Sequence, residues 1–176
     1  HYSREQKAAI STSFESVERH EMQVIEGTTH DVLITAEPRL LESLKGQGLI
    51  DIYSNTPIAR NRLVMISTQH STFRATFYRQ FPVATLIRHM QFRPHFILGN
   101  PATQMAGSMA REALRDYNAL ADLEAYTLYE KRMSDVVALV TELDGFAIIF
   151  ESLARGLDNV RIVGRIPEER HPPIIY

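Results

Sequence analysis

The chain has 176 residues, of which 44% are hydrophobic and 23% are charged, and this is typical of one globular domain or two small lobes. A net charge of −2 gives no basic field of the kind that nucleic acid binding needs. The absence of cysteine excludes disulfides and thiolate metal sites, and no apolar run approaches the ~20 residues of a membrane span.

The first third of the chain predicts alternating strands and helices. Residues 8–14 (AAISTSF) are small or β-branched and predict a short strand. Residues 15–27 predict a helix that ends on a glycine. The nearly continuous apolar run at 30–36 (HDVLITA) predicts a buried parallel strand. Residues 37–50 predict a second helix, with a proline in its first turn.

The alternation continues to the end of the chain and favours an α/β fold. Strands are predicted at 61–68, 95–100, 145–151 and 160–166, and helices at 82–90, 105–120 and 133–143. Residues 168–175 contain two adjacent prolines and predict an extended loop. The polar start HYSREQK shows no secretion signal. It looks like a helix end that leads into the strand at 8–14, so we interpret it as an interior piece of a longer chain; the alternative is an exported protein without its leader.

The segment FILGNPATQMAGSMAREAL, residues 96–114, reads as a strand, a loop and a helix. The amino end of a helix offers unpaired N–H groups and a partial positive charge, so this junction suits an anion. The same junction is also an ordinary connection in any α/β protein.

Five segments of the chain carry a recognisable pattern: residues 25–50 (IEGTTHDVLITAEPRLLESLKGQGLI), 61–68 (NRLVMIST), 98–114 (LGNPATQMAGSMAREAL), 145–152 (GFAIIFES) and 166–176 (IPEERHPPIIY). In this order and with these spacings, they resemble the periplasmic molybdate-binding proteins. The resemblance implies an α/β, two-lobed fold of the type II periplasmic-binding-protein kind with an incomplete first lobe. It assigns residues 1–60 and 151–176 to lobe one and residues 61–150 to lobe two.

The resemblance also implies a ligand cleft between the two lobes. Its lining would comprise Ser13, Ser16, Glu18, Thr103, Gln104, Met105, Ala106, Met133 and Phe150. Val17 and Glu18 stand where the family has a second serine, and Phe150 stands where it has a donor tyrosine on the strand that returns to lobe one. These replacements predict weak molybdate binding and an apolar floor that favours an organic anion.

The first functional hypothesis is therefore a periplasmic solute-binding protein of an ABC importer. It would close on a small anionic ligand and pass it to the membrane subunits of the transporter. The alternative is a sensor or regulatory module on the same fold, cytoplasmic in that case, with altered or lost ligand specificity. The missing first strand of lobe one predicts open strand edges and self-association.

No enzyme, metal site or cofactor is predicted. The chain shows no nucleophile–base pair and no acid pair, and its seven histidines lack metal-ligand spacing. Four arginines at 74, 79, 88 and 93 lie among aromatic residues. They indicate either a solvated face or a surface for a partner or a larger anion.

Overall fold

The computed structural model of the protein describes residues 9–15, 17–28, 30–51, 53–73, 81–92 and 95–176. The chain divides into two compact units, one comprising residues 1–57 with Tyr176 and the other comprising Ile58–Ile175. In the part that the structure describes, no helix is both long enough and apolar enough to cross a membrane.

The first unit contains two helices that its sequence predicts, α1 (Val17–Ile25) and α2 (Pro38–Gly46). Beyond α1, Gly27 adopts a φ of +82°, a conformation that glycine reaches without steric cost. Pro38 occupies the first turn of α2, where its missing N–H is no loss, and the side chain of Glu37 caps the helix by accepting from the Arg39 N–H.

The two strands predicted in the first unit do not form. Residues 9–15 and 30–36 have no regular secondary structure, and the run expected to be buried leaves Val32 77% and Ile34 60% exposed. A strand needs a neighbour to satisfy its backbone groups, and no described residue pairs with these segments. The apolar pattern alone therefore gave the wrong local structure here.

The second unit carries seven strands and five helices among its described residues. The strands are β1 (Arg60–Asn61), β2 (Leu63–Thr68), β3 (Phe96–Gly99), β4 (Thr127–Glu130), β5 (Phe146–Phe150), β6 (Val160–Arg165) and β7 (Ile174–Ile175). The helices are α3 (Val83–Met90), α4 (Met105–Asp116), α5 (Leu120–Glu124), α6 (Met133–Glu142) and α7 (Glu151–Ala154).

These elements confirm most of the predicted order, with local differences. The helix predicted at 105–120 divides into α4 and α5 because Asn118 turns the chain with a φ of +55°. Strand β4 was not predicted. The final loop contains a short 3-10 turn, Glu168–Arg170, and strand β7, which pairs antiparallel with β1.

The main sheet has the strand order β4-β3-β5-β2-β6. Strands β3, β4 and β5 are parallel to one another, whereas β2 runs antiparallel to both β5 and β6. Residues 151–175 group with the second compact unit, in which β6 pairs with β2 and Val160 lies opposite Thr68. The assignment of residues 151–176 to lobe one stays a prediction.

Helices cover the central strands of this sheet. On one face, Val136 and Val140 of α6 join Ile66, Ile97 and Ile149 in a buried cluster. Successive side chains of a strand point to opposite faces, so Phe146 faces the other side, where it contacts the ring of Phe73 at 4.8 Å between centroids. Helix α4 packs against β3 and β5.

The start of α4 lies directly against the end of β3. A Cβ atom placed on Gly107 would lie 2.0 Å from the carbonyl oxygen of Gly99. Backbone atoms occupy the position that this Cβ would take, and they cannot move aside as a flexible side chain would. A glycine at position 107 therefore sets how closely the helix approaches the strand.

We expect Gly107→Ala to lower the free energy of unfolding of the second unit by about 1–3 kcal/mol, because overpacking forces the helix away from the strand. Gly156→Ala is the matched control, since its added Cβ would lie at an ordinary 3.5 Å from the nearest atom. Urea unfolding followed by circular dichroism measures both. Equal stability of the two variants would contradict the close approach.

Candidate functional site

Three parallel strands of the second unit's sheet end at one edge. The parallel strands β3, β4 and β5 end there, and Gly99 is level with Glu130 across the β3–β4 pair. Strand β2 begins at the same edge, because Leu63 lies opposite Phe150. The carboxyl edge of parallel strands is where open α/β sheets bind ligands. The helices that follow the three parallel strands, α4, α6 and α7, all begin at this edge.

The amino end of α4 carries free backbone donors. Gln104 precedes the helix and makes no side-chain capping hydrogen bond, and the first turn contains no acidic residue. The first helical hydrogen bond runs from the Ser108 N–H to the Gln104 carbonyl at 3.0 Å. The N–H groups of Met105, Ala106 and Gly107 therefore point out of the helix without an intrahelical acceptor.

The loop before α4 is held in place by its own hydrogen bonds. The side-chain oxygen of Asn100 accepts from the Ala102 N–H at 2.9 Å. The backbone carbonyl of Asn100 accepts from the Gln104 N–H at 2.8 Å. The side chain of Gln104 donates to the Glu130 carbonyl at 3.3 Å, which ties the loop to the end of β4. The donors of α4 are thus pre-organised, which lowers the entropic cost of binding.

The amino end of α6, at Met133, is electrostatically different. Asp135 lies in its first turn and forms an ion pair with Arg132, with Nε and Oδ2 3.0 Å apart. A carboxylate in the first turn already interacts with the positive end of the helix dipole. An anion therefore finds a weaker attraction at α6 than at α4.

Phe150 ends β5 at this same edge and is half-buried. By strand alternation, its ring lies on the same face of the sheet as Phe146, which is the face opposite α6. Helix α4 packs against β5. The side chain brings apolar surface, and no hydroxyl, to the carboxyl edge.

The other predicted site residues are distributed as follows. Thr103 is exposed, and Ala106 is buried against the sheet. Ser13 is exposed in the first unit, whereas Ser16 and the side chain of Glu18 lie outside the described residues.

The predicted arginine cluster is described only in part. Arg88 is exposed, and the arginines at 74, 79 and 93 lie outside the described residues. Across the described ranges, no group of three or more histidine, aspartate or glutamate side chains is arranged to hold a metal ion.

A buried carboxylate at this edge escaped the sequence analysis. Glu151 is only 6% exposed, and its Oε1 accepts hydrogen bonds from Arg155 and Arg165, each at 3.0 Å. Burial raises the pKa of the Glu151 carboxyl, but the hydrogen bonds and charges of the two arginines outweigh burial and hold that pKa below its usual value. Arg155 is four residues away in the sequence, but the contact with Arg165 depends on tertiary structure.

Comparison with known proteins gives the family and the fold. The sequence profile of the bacterial extracellular solute-binding proteins matches residues 1–176. The molybdate-binding protein ModA of Haemophilus influenzae is 23% identical over 171 residues, which cover 97% of this chain. The chain spans 66% of the length of that relative.

This chain is similar to solved structures of substrate-binding proteins. A Clostridium difficile substrate binding domain, assigned to a molybdenum ABC transporter, has a TM-score of 0.83 at 19% identity, over 99% of this chain and 73% of that one. The periplasmic molybdate-binding protein of Azotobacter vinelandii has a TM-score of 0.69 at 15% identity, over 99% and 74% of the two chains. These likenesses confirm the predicted fold of the type II periplasmic binding proteins.

We expect Glu151→Gln to lower the free energy of unfolding at pH 7 by about 1–3 kcal/mol, because it removes the charged acceptor of two hydrogen bonds. A carboxyl with a lowered pKa in the folded state stabilises fully above its unfolded pKa of about 4.3 and loses that contribution as pH falls through the folded value. The difference between wild type and variant should therefore shrink in acid.

Urea unfolding at pH 7 and at pH 3.5 measures this. Glu112→Gln, which changes an exposed carboxyl on α4, is the control and should stay within about 0.5 kcal/mol of wild type. A wild-type–variant difference that is the same at both pH values would contradict the role of the charge.

Proposed function

The chain belongs to the bacterial extracellular solute-binding proteins, and we propose that it binds a small anion at the amino end of α4 as the receptor of an ABC importer. The family match confirms the prediction of a solute-binding protein rather than an enzyme. No finding favours the alternative of a cytoplasmic sensor. The ligand class, the site and the importer partnership are the proposal.

The observation that carries the proposal is the uncapped start of α4. Three consecutive N–H groups, from Met105 to Gly107, have neither a side-chain cap nor a nearby acidic residue in the first turn. Backbone donors at a helix start bind an anion without needing a lysine or arginine counter-charge. Pre-organisation of the loop by Asn100 and Gln104 supports the same role.

Neighbouring groups would complete the site. The backbone at Met133 opens α6 at the same sheet edge and is a second, weaker source of donors because of Asp135. Thr103 adds an exposed hydroxyl next to the α4 start. The assignment of Ser13, Ser16 and Glu18 as ligand contacts stays a prediction.

The names of the related proteins support the choice of ligand and partner. They describe molybdate binding, a molybdenum ABC transporter and, for a Desulfovibrio alaskensis protein of TM-score 0.63, tungstate binding. We therefore propose an oxyanion or a small anionic metabolite as ligand, membrane subunits of an ABC transporter as partners, and an extracytoplasmic location.

We expect Met105→Pro to weaken binding of the best anion from a molybdate, tungstate and organic phosphate screen by about 10- to 100-fold. Proline is tolerated at the first helical position but has no N–H, and loss of one donor to a charged group costs about 1.5–3 kcal/mol. Titration calorimetry of the full chain measures the affinity.

Met105→Ala is the matched control, because it loses the same side chain but keeps the N–H. Met133→Pro tests the second helix and should have a smaller effect, since Asp135 already interacts with that helix end. Equal affinities for the Pro and Ala variants at position 105 would place the anion elsewhere.

We expect Phe150→Tyr to raise affinity for molybdate or tungstate by about tenfold, because it restores a hydroxyl donor at the end of β5. Phe92→Tyr adds the same hydroxyl at a ring that is 82% exposed and should change nothing. The same calorimetric titration measures both variants, and weaker or unchanged oxyanion binding by Phe150→Tyr would argue against Phe150 as part of the site.

A further inference from the structure

A pocket lies within the second unit, where β1 meets the start of α7. It encloses about 320 Å³, the lower end of the range for small-molecule sites. Its lining comprises Arg60, Asn61, Arg62, Glu151, Ser152, Arg155 and Glu168. Ala154 of α7 packs into the cluster formed by Val136 of α6, so α7 belongs to the α6 face of the sheet.

The ion pairs around this pocket do not balance all of its positive charge. Arg62 pairs with Glu168 through Nε and Oε1, 2.8 Å apart. Arg155 and Arg165 share a single oxygen of Glu151. Each guanidinium engages a carboxylate with one nitrogen in these pairs, so further N–H donors remain on every arginine.

Arg60 adds a charge that no carboxylate of the described residues balances. It is exposed at the pocket wall, and the ion pairs seen in the described ranges do not include it. In the pocket lining, three arginines and two glutamates leave an excess of one positive charge. Arg165, which pairs with Glu151 from outside the lining, adds a second positive charge to the network. A guanidinium is always ionised and binds carboxylate or phosphate oxygens in a fork.

A neutral donor in the pocket is oriented by a short hydrogen-bond chain. The side-chain carbonyl of Asn61 accepts from the backbone N–H groups of Arg62 and Ser152, at 3.0 and 3.3 Å. Its amide nitrogen then donates to the hydroxyl oxygen of Ser152 at 2.8 Å. Because that oxygen accepts from Asn61, the Ser152 hydroxyl keeps its own hydrogen for another acceptor.

We propose that this pocket binds a small anion that carries two negative charges on oxygen, such as a phosphate group or a dicarboxylate. Arg60 supplies the unbalanced charge, Arg62 and Arg155 supply additional N–H donors, and Ser152 supplies a directed hydroxyl. The site is distinct from the amino end of α4, because none of its lining residues belongs to α4 or to the loop that precedes α4. It does not depend on the function proposed above.

The experiment is calorimetric titration of the full chain with inorganic phosphate and with malonate, in low-salt, phosphate-free buffer. Arg60→Gln should weaken binding of the probe that the wild type binds by about tenfold, and Ser152→Ala should weaken it by about threefold. Both side chains lie at the surface or pocket wall, so the fold should be retained, and a melting curve checks this. Arg115→Gln removes an equal charge from an exposed arginine at the end of α4 and should have no effect.

The outcomes separate this site from the one at α4. Binding that Arg60→Gln weakens and Met105→Pro leaves intact supports the second site. Binding that only Met105→Pro weakens overturns it and leaves the proposed function standing. Failure of the wild type to bind either probe, or equal weakening by Arg60→Gln and Arg115→Gln, also overturns it.

Discussion

The parallel pairing of β3 with β4 and with β5 is the constraint on which the candidate site depends. Parallel strands end at the same edge of a sheet, so the loops that follow them must meet there. The start of α4 is brought to that edge by the loop after β3, and the contact between Gly99 and Gly107 sets its distance from the sheet. The carboxyl edge therefore gains uncapped N–H groups from backbone geometry alone.

Two different sets of hydrogen-bond donors lie in the second unit. At α4, the donors are neutral amides held by hydrogen bonds within the loop, and no carboxylate lies in the first turn. Around α7, arginines and glutamates form a charged network that leaves Arg60 without a carboxylate partner among the described residues. Amides suit a dehydrated oxyanion, whereas guanidinium groups suit carboxylates and phosphates. The two sets of donors share no residue.

Local signals account for what the sequence predicted well, and long-range pairing accounts for what it missed. The proline that opens α2 and the glycine beyond α1 act within one turn of their helices, and the apolar runs of β2, β3 and β5 are buried as expected.

The apolar run at 30–36 looked equally like a strand, but no described segment pairs with it. β4 is short and only half-buried, so its pattern was weak. The contact between Glu151 and Arg165 depends on pairing between distant residues.

The central claim is that an anion binds to the backbone N–H groups that open α4. A titration of the ¹⁵N-labelled chain with tungstate, molybdate and an organic phosphate, followed by amide chemical shifts, tests this directly. The account predicts saturable shifts that are largest at Met105, Ala106 and Gly107, with smaller shifts at Met133. Saturable binding that leaves the three amides of α4 unmoved, or no saturable shift with any of these anions, would contradict it.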